Sequence, residues 1–236
     1  MYFADIHCHA LAGVDDGAPD DKMMFAMIDA AWRDSVRLLC FTPHWNPSAF
    51  GDNRPGVLNA FKRACGYVES KSYDMRLFLA NELRSESRDT SWLADRLCRP
   101  LGGRYVLVDF STRETIKNIS DGLYRLLSAG YKPVLAHAER YESLGISIEP
   151  LKKLRADGVI IQINAGSPLG RFGFSCKLRS RAILSAHIAD VAASDAHDVS
   201  DRPTEMTAGF EFVGKKYGSD YAKALFFSNP AALLRS

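Results

Sequence analysis

A parallel β/α barrel is the fold this sequence predicts, and three observations lead to it. Short apolar runs alternate with helix-like stretches along 236 residues. The runs are apolar almost throughout, with little inside-outside alternation, as in parallel strands buried on both faces. Ionisable residues collect where those runs end, and a closed parallel barrel gathers such ends onto one face. An open sheet would spread them along an edge. The length suits one barrel, so a single domain over residues 1–236 is expected.

In chain order, strands are expected over Phe3–His9, Leu38–His44, Arg76–Glu82, Tyr105–Phe110, Pro133–His137, Val159–Asn164 and Ile188–Ser194. They make a seven-stranded α/β arrangement, with helices between the strands. Asp20–Ser35 sets Met23, Met24, Met27, Ala30 and Ala31 near one helix face, and Glu114–Ala129 stops before Gly130, a C-cap signal. Hydrophobic residues at 47% and charged residues at 25% are ordinary globular values. A net charge of +2 gives no reason to expect a nucleic-acid partner. No apolar stretch approaches the about 20 residues that cross a bilayer, so no membrane insertion is expected. The chain enters a strand almost at once, without a basic segment leading into an apolar one, so a cytoplasmic protein is expected. Five scattered cysteines without a C-x-x-C pair suit reduced thiols.

Of six histidines, His7, His9, His44, His137 and His197 fall at or just past strand ends, joined by Glu82, Asp109 and Asp195. The remaining one, His187, precedes the last strand and receives no role. Each imidazole alone reads as a core or surface histidine, but so many imidazoles and carboxylates buried together are costly unless paired or metal-bound. His7-Cys8-His9 on a strand points both imidazoles to one side and Cys8 to the other, and Asp195-Ala196-His197 repeats the spacing. Mixed imidazole and carboxylate donors suit manganese, iron or zinc better than calcium or magnesium.

The motifs DIHCHALAGVDDGA (Asp5–Ala18), TPH (Thr42–His44), NEL (Asn81–Leu83), VDF (Val108–Phe110), AHAERY (Ala136–Tyr141), QINAGS (Gln162–Ser167) and ASDAHDVSDRP (Ala193–Pro203) occur in that order. In this the chain resembles the CpsB/YwqE family of bacterial tyrosine phosphatases, a branch of the PHP superfamily, over nearly its whole length. The resemblance implies a distorted, TIM-like PHP-type barrel holding three divalent metal ions, usually manganese or iron, with zinc or magnesium as alternatives. It implies three ligand sets: His7, His9, Glu82 and Asp195; Glu82, Asp109 and His137, with Glu82 bridging; and Asp16, His44 and His197. Arg140 would grip the phosphate as a planar two-pronged donor. Arg140, Asp16, His44 and His197 are the expected catalytic groups. The implied partner is the tyrosine-rich tail of a kinase that controls capsule or exopolysaccharide synthesis. Asp109 stands where such phosphatases usually have Glu, and Ala12 where proline is usual. Trp45–Gly56 lacks the usual basic cluster, leaving Arg54 as a substrate contact. Asp15 and Asp16 also read as turn residues before Gly17.

Two other functions fit the same residues: a phosphatase for a small phosphomonoester such as histidinol phosphate, or a non-catalytic, metal-bound regulatory barrel. A different chemistry is hinted at by Cys98–Arg104, which matches the C-x5-R of cysteine-dependent phosphatases. That motif needs a strand before the cysteine and a helix after the arginine. Here a helix-like stretch precedes and a strand follows, so Cys98 is expected to be inert.

Overall fold

The computed structural model describes residues 1–85, 98–145 and 147–235. Its strands are β1 (Phe3–Cys8), β2 (Val36–Phe41), β3 (His44–Trp45), β4 (Arg76–Leu79), β5 (Glu82–Arg84), β6 (Tyr105–Asp109), β7 (Lys132–Leu135), β8 (Ile160–Asn164) and β9 (Val191–Ala193). The ladders joining them are parallel. They run in the order β1-β2-β4 and β3-β5-β6-β7-β8-β9. Every expected run holds a strand, and two are broken. The second breaks at Thr42-Pro43, where proline has no N–H to give the ladder. The third breaks at Ala80-Asn81 beside it, and the gap is bridged by Ala80 N–H on the Phe41 carbonyl (2.9 Å) and Glu82 N–H on that of Pro43 (3.3 Å).

The closed barrel expected from the sequence is corrected in one respect: among the described residues, no continuous ladder closes it. The first and last strands meet through an isolated bridge, Cys8 to Ala196. Two hydrogen bonds reinforce it, Asp195 N–H to the His7 carbonyl (2.8 Å) and His9 N–H to that of Ala196 (2.9 Å). The physical reason is local. β9 is short, and Asp195, two residues beyond its end, turns left-handed (φ 53°), which ends regular pairing.

Ile6, Cys40, Leu107, Val134 and Val191 come from strands that are not all neighbours, yet they form one buried cluster with Leu233 and Leu234. They therefore face the interior of the strand ring. The larger cluster lies between strands and helices and contains Cys8, as its outward orientation requires. A register shift between Asp5 and Cys8 gives β1 an extra residue, so Ile6 and His7 can both face inward despite being adjacent.

The helices that position the strands follow their local signals. α1 (Asp21–Arg33) begins at Asp20, whose carboxylate accepts Met23 N–H, and it buries Met24, Met27, Ile28 and Ala31. Met23 and Ala30, expected on that face, are only partly covered. α2 (Pro47–Phe50) and α3 (Arg54–Ser70) follow β3. α4 (Ile116–Ser128) is capped by Thr115 and ends in a Schellman motif: Gly130 (φ 81°) donates to Leu127, and Tyr131 to Leu126. α5 (Glu149–Ala156) and α6 (Gly173–Ser185) flank β8. α7 (Met206–Tyr217), α8 (Ser219–Lys223) and α9 (Asn229–Arg235) complete the chain, and none of the described helices is long and apolar enough to cross a membrane. The helix-like stretch expected before Cys98 falls on 86–97, outside the described residues.

Candidate metal centre

The strand ends and the loop between β1 and α1 deliver five imidazoles and four carboxylates to one place. Glu82, opening β5, lies at the middle of them. Its Oε1 is 3.3 Å from His7 Nε2 and 3.2 Å from His137 Nε2. Its Oε2 is 3.2 Å from His9 Nε2 and 3.0 Å from His44 Nδ1. Asp109 Oδ1 is 3.5 Å from His137 Nε2, and Asp16 Oδ1 lies 3.3 Å from His44 Nε2 and 3.6 Å from His197 Nε2. All of these except Asp16 and His44 are buried; the Asp16 side chain is 56% exposed and marks the open side.

The surrounding hydrogen bonds decide which nitrogens carry protons. Gln162 Oε1 accepts the His137 backbone N–H (3.0 Å), which fixes it as an oxygen. His7 Nδ1, 3.0 Å from that oxygen, must therefore donate, leaving a lone pair on Nε2. Asp15 Oδ2 accepts the His44 N–H (3.0 Å) and faces His9 Nδ1 at 2.8 Å, so His9 Nε2 is also a lone pair. His197 Nδ1 donates to the Asp195 carbonyl (3.0 Å), with the same result. His7 Nε2 and His9 Nε2, two acceptors, thus face each other at 3.1 Å among carboxylate oxygens. Such a donor set fits a cation, and its outer partners hold the rings as those of metal-binding histidines do.

Without a cation the charges settle on protons. Burial opposes a charge on His9, but Asp15 outweighs it and raises the pKa to about 9. His44, likewise desolvated, is raised to about 11 by Glu82 and Asp16. On Glu82 burial acts upward, yet His7 and His44 hold the carboxyl well below its usual range. Asp195 is depressed in the same way by His7, His137 and Arg202.

Among the described residues, four groups have donor atoms within 4.8 Å of one another: His9, Asp16, His44 and His197; His7, His9 and Asp195; His7, Glu82 and His137; and His44, Glu82 and Asp109. The grouping departs from the expected sets. His9 also joins the group on the open side, and Glu82 is not grouped with His7, His9 and Asp195. His7 takes the place of Asp109 beside Glu82 and His137, and Asp109 comes together with His44 and Glu82.

Asp195 Oδ2 receives Asn164 Nδ2 (2.8 Å), Arg140 Nη1 (3.0 Å) and Arg202 Nη2 (2.8 Å), leaving Oδ1 toward His7 and His9. Arg84 binds Asp109 Oδ2 and turns Oδ1 toward His137. Arg202, Arg84, Asp15 and Gln162 were missed from the sequence. Gln162, Asp15 and Arg202 sit in motifs already singled out, and Gln162 is near a strand end like the clustered histidines, which was the available signal. Arg54 is not brought in: it is exposed, is paired with Asp52 and does not line the cavity. Cys98 is buried, its thiol is pushed up by burial, and Arg104 donates to the Gly130 carbonyl away from the centre.

The cavity over the cluster is about 140 Å³, lined by Asp16, His44, Glu82, Arg140, Asp195 and Arg202 among others. A larger groove of about 550 Å³ opens at the opposite strand ends, where Arg155 is already paired with Asp190 (2.8 Å) and no such donor cluster occurs.

A family model for capsular polysaccharide synthesis proteins, CpsB/CapC, matches residues 3–235. The tyrosine-protein phosphatase CpsB of Streptococcus pneumoniae is 28% identical over 98% of this chain and 97% of its own. The tyrosine-protein phosphatase YwqE of Bacillus subtilis is 30% identical over 98% and 91%. Among solved structures, one from the work on YwqE and CpsB, described there as unique metal-dependent tyrosine phosphatases, superposes with a TM-score of 0.88 at 30% identity, covering 98% of this chain and 94% of that one.

Proposed function

Because the chain belongs to the CpsB/CapC family, we propose that it is a metal-dependent protein-tyrosine phosphatase, acting on phosphotyrosine in a bacterial tyrosine kinase that governs capsule or exopolysaccharide synthesis. The observation that carries this reading is the cluster of imidazoles and carboxylates with two guanidinium groups, Arg140 and Arg202, at its edge. Three divalent ions, manganese or iron, are the proposed complement, held by His7, His9, Glu82, Asp109, His137 and Asp195 inside and by Asp16, His44 and His197 on the open side. Bound there, such ions supply Lewis acidity and lower the pKa of water, so that a nucleophile is available near neutral pH.

The chain's own groups do the rest. Arg140 and Arg202 already converge on one carboxylate oxygen, and planar guanidinium groups suit the oxygens of a transferring phosphoryl group. Phenolate, with a pKa of about 10, leaves without the help an alkyl alcohol requires. A cavity of about 140 Å³ takes a phosphoryl group and ions but does not engulf a whole metabolite, since small-ligand pockets run to roughly 300 Å³ and above. That favours a phosphorylated side chain over a free phosphomonoester such as histidinol phosphate.

The test compares a phosphotyrosyl peptide with histidinol phosphate, before and after chelation. Turnover of the peptide should vanish in EDTA and return with Mn²⁺. Turnover that survives exhaustive chelation, or a preference for histidinol phosphate, would refute the reading.

A further inference from the structure

The loop after β8 carries an aromatic ring up to two arginines that line the metal cavity. Phe172 lies just before α6 and is partly exposed. Its ring centroid is 5.7 Å from the guanidinium carbon of Arg140 and 5.9 Å from that of Arg202. Those two arginines line the cavity and share the Asp195 oxygen. One ring thus flanks both of the cations best placed for a phosphoryl group.

The ring's position is fixed by its backbone. Gly170 N–H donates to the Ser167 carbonyl (3.0 Å) and Gly173 N–H to that of Gly170 (3.1 Å), which folds the loop into consecutive tight turns. Arg171 Nε donates to Glu205 at 3.0 Å. Glu205 is three residues beyond Arg202, so this ion pair ties the segment carrying the ring to the segment carrying the guanidinium. The two come so close at Gly166 that a Cβ there would stand 2.3 Å from Glu205 Oε2.

Cavity size then limits where a substrate's ring can go. A volume of about 140 Å³ equals roughly five waters at about 30 Å³ each. Ions and a phosphoryl group use that room, so the ring of a phosphotyrosine is left at the mouth. We propose that Phe172 is the specificity-determining platform for the aromatic leaving group, a proposal that rests on the tyrosine phosphatase reading above. Aromatic rings attract at centroid separations of about 4.5–7 Å, in offset or edge-to-face arrangements. A phosphoserine offers no comparable surface. The alternative role for the ring is to brace the two arginines, which would affect every phosphate alike.

Steady-state kinetics on the metal-loaded full chain separates the two roles. With phenyl phosphate as substrate, Phe172→Ala should raise KM about five-fold to ten-fold, the range expected for one lost ring contact. Inorganic phosphate, which has no ring, should keep its competitive Ki within about two-fold, as a bond made only to arginines and ions should. Phe172→Tyr should stay near the parent and Phe172→Leu should fall between. Metal content measured on each preparation shows that the site is intact. A phosphate Ki that weakens in step with KM would assign Phe172 to bracing, and an unchanged KM would remove it from substrate contact; either overturns the proposal. Failure of the unsubstituted protein on a phosphotyrosyl peptide is a separate outcome, which sinks the tyrosine phosphatase reading and the proposal with it.

Discussion

Gln162 shows how one amide can set the tautomer of one histidine while holding the backbone of another. Its Oε1 takes the His137 N–H and the His7 Nδ1 proton, and its Nε2 donates to Asn164 Oδ1 (2.9 Å), which leads on to Asp195. Replacing it by leucine, similar in bulk, leaves His7 free to present the wrong tautomer. Gln162→Leu should therefore weaken metal binding about 10–100-fold, the usual cost of losing such an outer partner. Titration against a competing chelator measures this, and an unchanged affinity would show that the tautomer argument is wrong. The clustering of the histidines and carboxylates could be read from the sequence because strand ends converge in a barrel. Their outer partners could not: Asp15 looked like a turn residue because nothing local says that its carboxylate reaches both His9 and the His44 N–H. Arg202 was hidden for the same reason, since only the path of the loop after Asp195 brings its guanidinium back to that carboxylate.

The segment between β1 and α1 shows the same limit for elements. Ala18 N–H donates to the His9 carbonyl (3.0 Å) and Gly13 N–H to that of Ala18 (2.8 Å), folding Asp15 and Asp16 back over the histidines. Gly17 allows this fold, because a Cβ there would lie 1.9 Å from the His9 oxygen. Gly17→Ala must push the loop outward, dragging Asp15 from His9 and Asp16 from His44 and His197. The expected result is loss of metal from the open-side group with helix content by circular dichroism little changed. Full metal content in that variant would show that the loop can yield without disturbing the site. Strand runs were legible because parallel strands buried on both faces are apolar throughout. The register shift in β1 was not, because an extra residue inside an apolar run leaves no mark in composition.

Across the whole molecule, protons and metal ions compete for the same nitrogens, and this gives stability a pH dependence of definite sign. In protein stripped of metal, the folded state raises His9 to about 9 and His44 to about 11 from the ordinary histidine value of 6.5. That stabilisation is whole below pH 6.5, and the His9 share is lost as pH rises through about 9. Metal-loaded protein should respond in the opposite direction over that window, because ligation requires those nitrogens unprotonated. Thermal melts of EDTA-stripped and Mn²⁺-loaded protein between about pH 6 and 9 should therefore diverge with rising pH, and parallel curves would refute the competition. The bridge between Cys8 and Ala196 has a further consequence, which concerns time. Ser194 bonds to Asp5 and His7 across 189 and 187 residues of chain. At the usual synthesis rate of about 5–20 residues per second, the early histidines emerge roughly ten to forty seconds before Asp195 and His197 exist. A nascent chain can offer an ion only part of the cluster during that interval, so loading belongs to the finished polypeptide, and a chain cut short before its last strand has no complete site to fill.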